Sequence, residues 1–164
     1  MNHDELVNAL KRLRLMAMAE QFADFAKQAE RGNLTFEQFL AVLATAEIDA
    51  KQRLKVSRLV KEAKLPKIKE ISDFDFNCRQ GINRQQIQRL MAGEWVEKAW
   101  NIVFYGGFGV GKSHLAMALT RELCTLGYRC HFISTNELID GLLRANSTLT
   151  LSAHLKALDR FDLI

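Results

Sequence analysis

A chain of 164 residues with 48% hydrophobic and 26% charged residues is long enough for a sizeable core and too apolar for wholesale disorder. Its net charge of +4 is modest, so where the charge sits says more than its total. Three cysteines without a CxxC pair argue against a disulfide framework or zinc site, and the lack of a signal-peptide core or membrane-length apolar run leads to an expected cytoplasmic location without membrane attachment.

The N-terminal part reads as helical. Leu6, Leu10, Leu13 and Ala17 recur at helical spacing, Phe22 and Phe25 extend the stripe, and Arg31-Gly32-Asn33 supplies a stop. A second helix opens at Thr35, which has capping-box spacing to Gln38. No breaker follows until Pro66, the only proline, which disfavours helix at Leu65. Two helices are therefore expected, the second about thirty residues long.

Residues 51–69 hold eight basic side chains and one acid, Glu62. At helical spacing Val56, Leu59, Val60 and Ala63 share one face, while Lys51, Lys55, Arg58, Lys61 and Lys64 cover the opposite arc. A solvated face on a core helix accounts for many such runs. The one-signed imbalance here suggests a polyanionic partner, and DNA is favoured over a membrane surface because the apolar face is small and lacks Trp or Phe.

Farther along, Asp73 and Asp75 alternate with Phe74 and Phe76, which suits a short edge strand or turn better than a paired-acid catalytic site. Trp95 and Trp100 are expected in the core. Then the pattern becomes alternating strand and helix. Residues 101–106, NIVFYG, read as a buried parallel strand. A glycine loop, an amphipathic stretch from Lys112 to about Leu126 and a stop at Gly127 follow. Residues 128–135 read as a second strand, and Ser134 with Glu137 forms another capping-box pair. Leu151, Leu155 and Leu158 mark a further helix before the entry to a third strand at 161–164. This repetition implies right-handed crossovers and a parallel sheet.

The glycine loop carries the chemistry. Gly106 to Ser113, GGFGVGKS, matches the phosphate-loop pattern GxxxxGK[ST]. Gly106 would end the strand in a tight turn, and Gly111 would let the backbone approach a ligand closely. Main-chain N–H groups of Gly107, Phe108, Gly109, Val110, Gly111, Lys112 and Ser113 could then face phosphate oxygens, reinforced by the positive end of the next helix. Lys112 would serve the β- and γ-phosphates of ATP, and Ser113 would offer a hydroxyl to Mg²⁺. His114 could touch a phosphate or hold local structure. His3, His131 and His154 lack metal-ligand spacing, and no Ser/His/Asp or Cys/His nucleophile arrangement is legible.

Taken together, AKLPKIKEISDFDF, the apolar strand, GGFGVGKSHLAMAL, GYRCHFISTNELID and LDRFDLI resemble the IstB-like family. These are ATP-binding helpers of insertion-sequence transposition, related to DnaC-type helicase loaders among the AAA+ ATPases. The resemblance implies an α/β AAA+ P-loop core, a parallel sheet with flanking helices, at 71–164, preceded by a helical domain at 1–70. It also implies DNA and a transposase as partners, with ATP-dependent homo-oligomerisation in the intact form. In the family the strand beginning like FDLI runs on to the Walker B acids, and Asp162 is not their equivalent. The resemblance therefore implies a C-terminally truncated core that binds ATP without hydrolysing it, since Walker B, sensors and arginine finger lie beyond Ile164. A replicative-helicase loader and a non-catalytic interaction module are the alternative readings.

Overall fold

The computed structural model describes residues 2–76 and 82–164, so Cys78 lies outside the described part. The chain divides into two compact units, Met1–Lys55 and Val56–Ile164. In the first unit α1 (His3–Arg12) packs on α2 (Met16–Arg31). Asn2 opens α1 with a capping box, its side chain accepting from the Glu5 N–H at 2.8 Å while the Glu5 carboxylate accepts from the Asn2 N–H at 2.9 Å. One continuous helix was expected from the leucine stripe. The structure breaks it at Leu13–Leu15, where Arg14 takes a left-handed φ of 58° and the Leu15 N–H turns back to the Leu10 carbonyl. Nothing in the spacing signals that break, since no Gly or Pro marks it.

The long helix is present as α3 (Phe36–Glu62), 27 residues, and Thr35 caps it as the spacing requires. The Gln38 N–H donates to Thr35 Oγ1 at 3.2 Å and the Thr35 N–H to Gln38 Oε1 at 2.9 Å. Within the first unit Glu47 is buried, and its carboxylate accepts from the Met18 N–H at 3.0 Å and meets Lys51 at 3.5 Å. Burial pushes this carboxyl up, but those two donors prevail and hold it below the usual range.

The second unit is built on α6 (Lys112–Leu126). Leu115, Met117, Ala118, Leu119, Thr120, Leu123 and Cys124 are all buried, so this helix is covered around most of its circumference. Leu119, Leu123 and Cys124 pack with Leu59 and Ala63 from the end of α3, with Trp95 and with Cys130. A smaller cluster joins Leu115 to Phe74 and Ile87, the latter on α4 (Arg84–Met91). Trp95 lies in the short α5 (Glu94–Glu97) and its indole donates to the Leu90 carbonyl at 2.8 Å. Trp100, by contrast, is 63% exposed and is not the core residue expected, its ring instead lying under the Lys98 ammonium at 5.2 Å. Helix α7 (Thr135–Ser147) opens with the Ser134–Glu137 capping box and packs on α8 (Leu151–Leu158).

The expected parallel sheet is represented, among the described residues, by one parallel bridge between Cys130 and Leu163. The His131 N–H donates to the Leu163 carbonyl at 2.8 Å, and the Asp162 N–H to the Arg129 carbonyl at 2.7 Å. Residues 101–106 run without regular secondary structure and make no backbone–backbone hydrogen bond among the described residues. Their side chains still alternate, with Ile102 and Phe104 half-buried and Val103 and Tyr105 exposed. A ladder needs a second backbone alongside, and none pairs with residues 101–106 among the described residues.

Candidate functional site

The phosphate loop joins residues 101–106 to α6, and backbone conformation explains its glycines. Gly106, Gly109 and Gly111 have φ of 153°, 74° and 96°, a region that residues with a Cβ seldom occupy. Gly111 is the N-cap of α6 and offers no side chain to the helix. The amides of the first turn are consequently free of a side-chain cap and lie at the positive end of a 15-residue helix. That combination is a ready acceptor site for an anion.

Lys112 folds back across the loop. Its Nζ donates to the Gly106 carbonyl at 2.9 Å and to the Gly107 carbonyl at 2.6 Å, and it has no carboxylate partner among the described residues. The ammonium is thus held over the loop by neutral acceptors that a phosphate can outcompete. Ser113 is exposed in the first turn of α6, as is Phe108 at the loop tip. His114 points elsewhere: Nε2 lies 2.9 Å from the Glu70 carbonyl oxygen, and the ring meets Phe74 edge-on at 5.3 Å. No group of three or more His, Cys, Asp or Glu that could hold a metal ion occurs among the described residues.

Residues 70–76 lie against this loop, a proximity that the sequence reading did not foresee. Ile71–Asp73 forms a single 3₁₀ turn, the turn alternative for the Asp/Phe stretch, and it packs on α6. Arg121 on α6 binds the Glu70 carboxylate at 2.9 Å. The signal that could have hinted at this was the alternation of Phe74 and Phe76 with acids, which gives the segment apolar side chains to bury.

The basic arc is exposed at every position named from the sequence: Lys51 and Lys55 in the first unit, Arg58, Lys61 and Lys64 in the second. Two of the five have acids one helical turn away, Lys51 with Glu47 at 3.5 Å and Arg58 with Glu62 at 3.7 Å. Lys64 lies past the end of α3 in a left-handed conformation, φ 52°, and borders a cavity of about 470 Å³ with His131, Ser134, Glu137 and Arg144. The apolar side of the stretch behaves as its spacing implied, with Leu59 and Ala63 buried in the core of the second unit.

Comparison with known proteins adds an independent line. A family model described as IstB-like ATP binding protein matches residues 8–164. A protein of Geobacillus stearothermophilus, described as an ATP-binding protein of insertion sequence IS5376, is 36% identical over 82% of this chain and 54% of its own length. An ATP-binding protein of insertion sequence IS232 from Bacillus thuringiensis is 31% identical over 99% of this chain and 65% of its own length. The counterpart from insertion sequence IS21 of Pseudomonas aeruginosa is 30% identical over 94% of this chain and 58% of its own length. The chain thus spans between about half and two-thirds of the length of these relatives.

Proposed function

Because this chain belongs to the family of IstB-like ATP-binding proteins, we propose that it binds ATP at Gly106–Ser113 and acts as a DNA-associated helper of insertion-sequence transposition. The single observation that carries this is the loop itself: left-handed glycines at 106, 109 and 111, an uncapped helix start, and a lysine held over them by carbonyls alone. The family's relatives, described as insertion-sequence ATP-binding proteins, supply the biological setting.

In this reading the amides of residues 107–113 receive phosphate oxygens, and Lys112 exchanges the Gly106 and Gly107 carbonyls for the β- and γ-phosphates. Ser113 would offer its hydroxyl to Mg²⁺, and the ion would supply neutralisation of phosphate charge. His114 steadies the loop from outside through Glu70 and Phe74. Residues 101–106 are read as a strand of the AAA+ parallel sheet, supported by their alternating burial and by the parallel pairing of Cys130 with Leu163. The same reading divides the chain into a helical domain at 1–70 and the nucleotide-binding core at 71–164. Lys51, Lys55, Arg58, Lys61 and Lys64 form the proposed contact to DNA phosphates, supported by the exposure of each of these side chains. A transposase is the proposed protein partner.

Titration calorimetry with ATP and Mg²⁺ tests the central claim. Saturable binding near one nucleotide per chain is expected, and a folded chain that takes up no ATP would refute the assignment.

A further inference from the structure

Among the loop glycines, Gly111 has a reason to be glycine that the others lack. A Cβ added at Gly107 or Gly109 would meet nothing within 4 Å, and one at Gly106 would meet only Val110 Cγ2 at 3.3 Å. At Gly111 it would lie 2.6 Å from Phe74 Cε2 and 3.2 Å from Cζ, closer than a real Cβ approaches another carbon. The Phe74 ring therefore rests directly on the bare α-carbon of the residue that starts α6.

That ring is 7% exposed and packs with Leu115 and Ile87. It meets His114 edge-on at 5.3 Å and Phe76 edge-on at 4.9 Å. Phe74 thus touches the N-cap of α6 and residues of its first turn at once. Four residues before Phe74, Glu70 is tied to the same helix twice, by its carbonyl to His114 Nε2 at 2.9 Å and by its carboxylate to Arg121 at 2.9 Å. Between Glu70 and Phe74 lies the 3₁₀ turn Ile71–Asp73, closed by the Asp73 N–H donating to the Glu70 carbonyl at 3.2 Å and the Phe74 N–H to the Ile71 carbonyl at 3.1 Å.

From this geometry we propose that Phe74 is a positioning residue for nucleotide: clamped by Glu70, it fixes the Gly111 backbone and so aims the first-turn amides of α6 at the phosphates. The proposal rests on the nucleotide-binding reading above and adds the element that sets the loop's conformation. The physical need is plain. Gly111 at φ 96° has no Cβ of its own to restrict it, so a glycine hinge without a neighbour would sample several conformations. Amide donors that must converge on one phosphate lose affinity when their directions fluctuate. A flat ring lying on the α-carbon restricts that freedom, and any side chain at 111 would displace it.

The test measures ATP affinity by calorimetry and thermal unfolding in parallel, on the full chain and on Phe74→Leu, Phe74→Ala, Gly111→Ala and the Phe74→Ala/Gly111→Ala double variant. Phe74→Leu keeps an apolar side chain in the cluster but loses the flat ring, so it guards against simple unfolding of the alanine variant. It should bind ATP roughly tenfold more weakly at temperatures well below its melting point, about the loss of one loop amide contact. Gly111→Ala should weaken binding more severely in the wild-type background than in the Phe74→Ala background, where the added methyl no longer meets the ring. A merely structural Phe74 would lower the melting temperature and leave the ATP affinity of folded Phe74→Leu unchanged. Undiminished ATP binding by folded Phe74→Leu, with wild type binding normally, overturns the proposal alone. Failure of wild type itself to bind ATP overturns the nucleotide reading and the proposal with it.

Discussion

Removal of the Lys112 ammonium is the most direct perturbation of the loop, and its size can be worked from the contacts present. In Lys112→Ala the folded protein loses two donor contacts, to the Gly106 and Gly107 carbonyls at 2.9 and 2.6 Å. Both acceptors lie at exposed residues, so water replaces the ammonium, and stability should change by no more than about 1 kcal/mol. ATP binding should suffer more. A charge-assisted contact to phosphate is worth about 1.5–3 kcal/mol, or roughly 10- to 150-fold in affinity. The carbonyl contacts that Lys112 surrenders on binding oppose this, which places the expected loss nearer tenfold than a hundredfold. Calorimetric titration of ATP into wild type, Lys112→Ala and the nearly isosteric Lys112→Met, with thermal unfolding alongside, separates affinity from folding. Equal ATP affinity in wild type and in folded Lys112→Ala would refute the reasoning, because then no phosphate lies near the ammonium.

Binding of duplex DNA through the basic arc should depend steeply on salt: with about five phosphates neutralised, affinity should fall several hundredfold between about 50 and 200 mM salt. Reversing Lys55, Arg58 and Lys61 to Glu should weaken binding to all sequences alike, and an affinity indifferent to both changes would return this helix to the role of a solvated face. His131 should make stability depend on pH. Its ring is buried against Phe161, with centroids 4.7 Å apart, and its Nδ1 has no hydrogen-bond partner among the described residues. Burial and the nearby Lys64 hold its pKa below the ordinary histidine value, against the Glu62 carbonyl and Glu137. The folded state then binds fewer protons than the unfolded, so this contribution is complete above about pH 6.5 and is lost as pH falls through the lower folded value, with a slope of at most about 1.4 kcal/mol per pH unit. Chemical denaturation between pH 7 and pH 5 should show the decline, and His131→Phe should flatten it. Gly93→Ala should lower stability by about 2 kcal/mol or more in the same assay, since a Cβ there joins left-handed strain at φ 81° to a 2.8 Å approach to Tyr128 Cε2.

How much was legible beforehand differs from element to element. Thr35 with Gln38, and Ser134 with Glu137, marked helix starts correctly because a capping box is closed by residues three apart. Leu59 and Ala63 were assigned to the buried side of α3 by spacing alone, since a helix turns its side chains at a fixed angle. The break at Arg14 was not legible, because an ordinary residue adopts a left-handed φ there without any local marker. Trp100 was placed in the core on size and apolarity, yet its surroundings left it largely exposed. The strand pattern of 101–106 was visible as alternation, but whether a strand forms depends on a partner backbone that no local signal supplies.

By itself the sequence determined the starts of α3, α6 and α7, the basic run, and a glycine loop whose residue types suit phosphate. These features depend on hydrogen bonds and periodicities that span only a few residues. Only the tertiary structure decided that Phe74 lies on Gly111, that Glu70 is tied to His114 and Arg121, and that His131 stacks on Phe161. Each of those contacts joins residues at least thirty apart in the chain. Such pairs are chosen by which apolar side chains can be buried together, and that selection is made by packing of the whole unit.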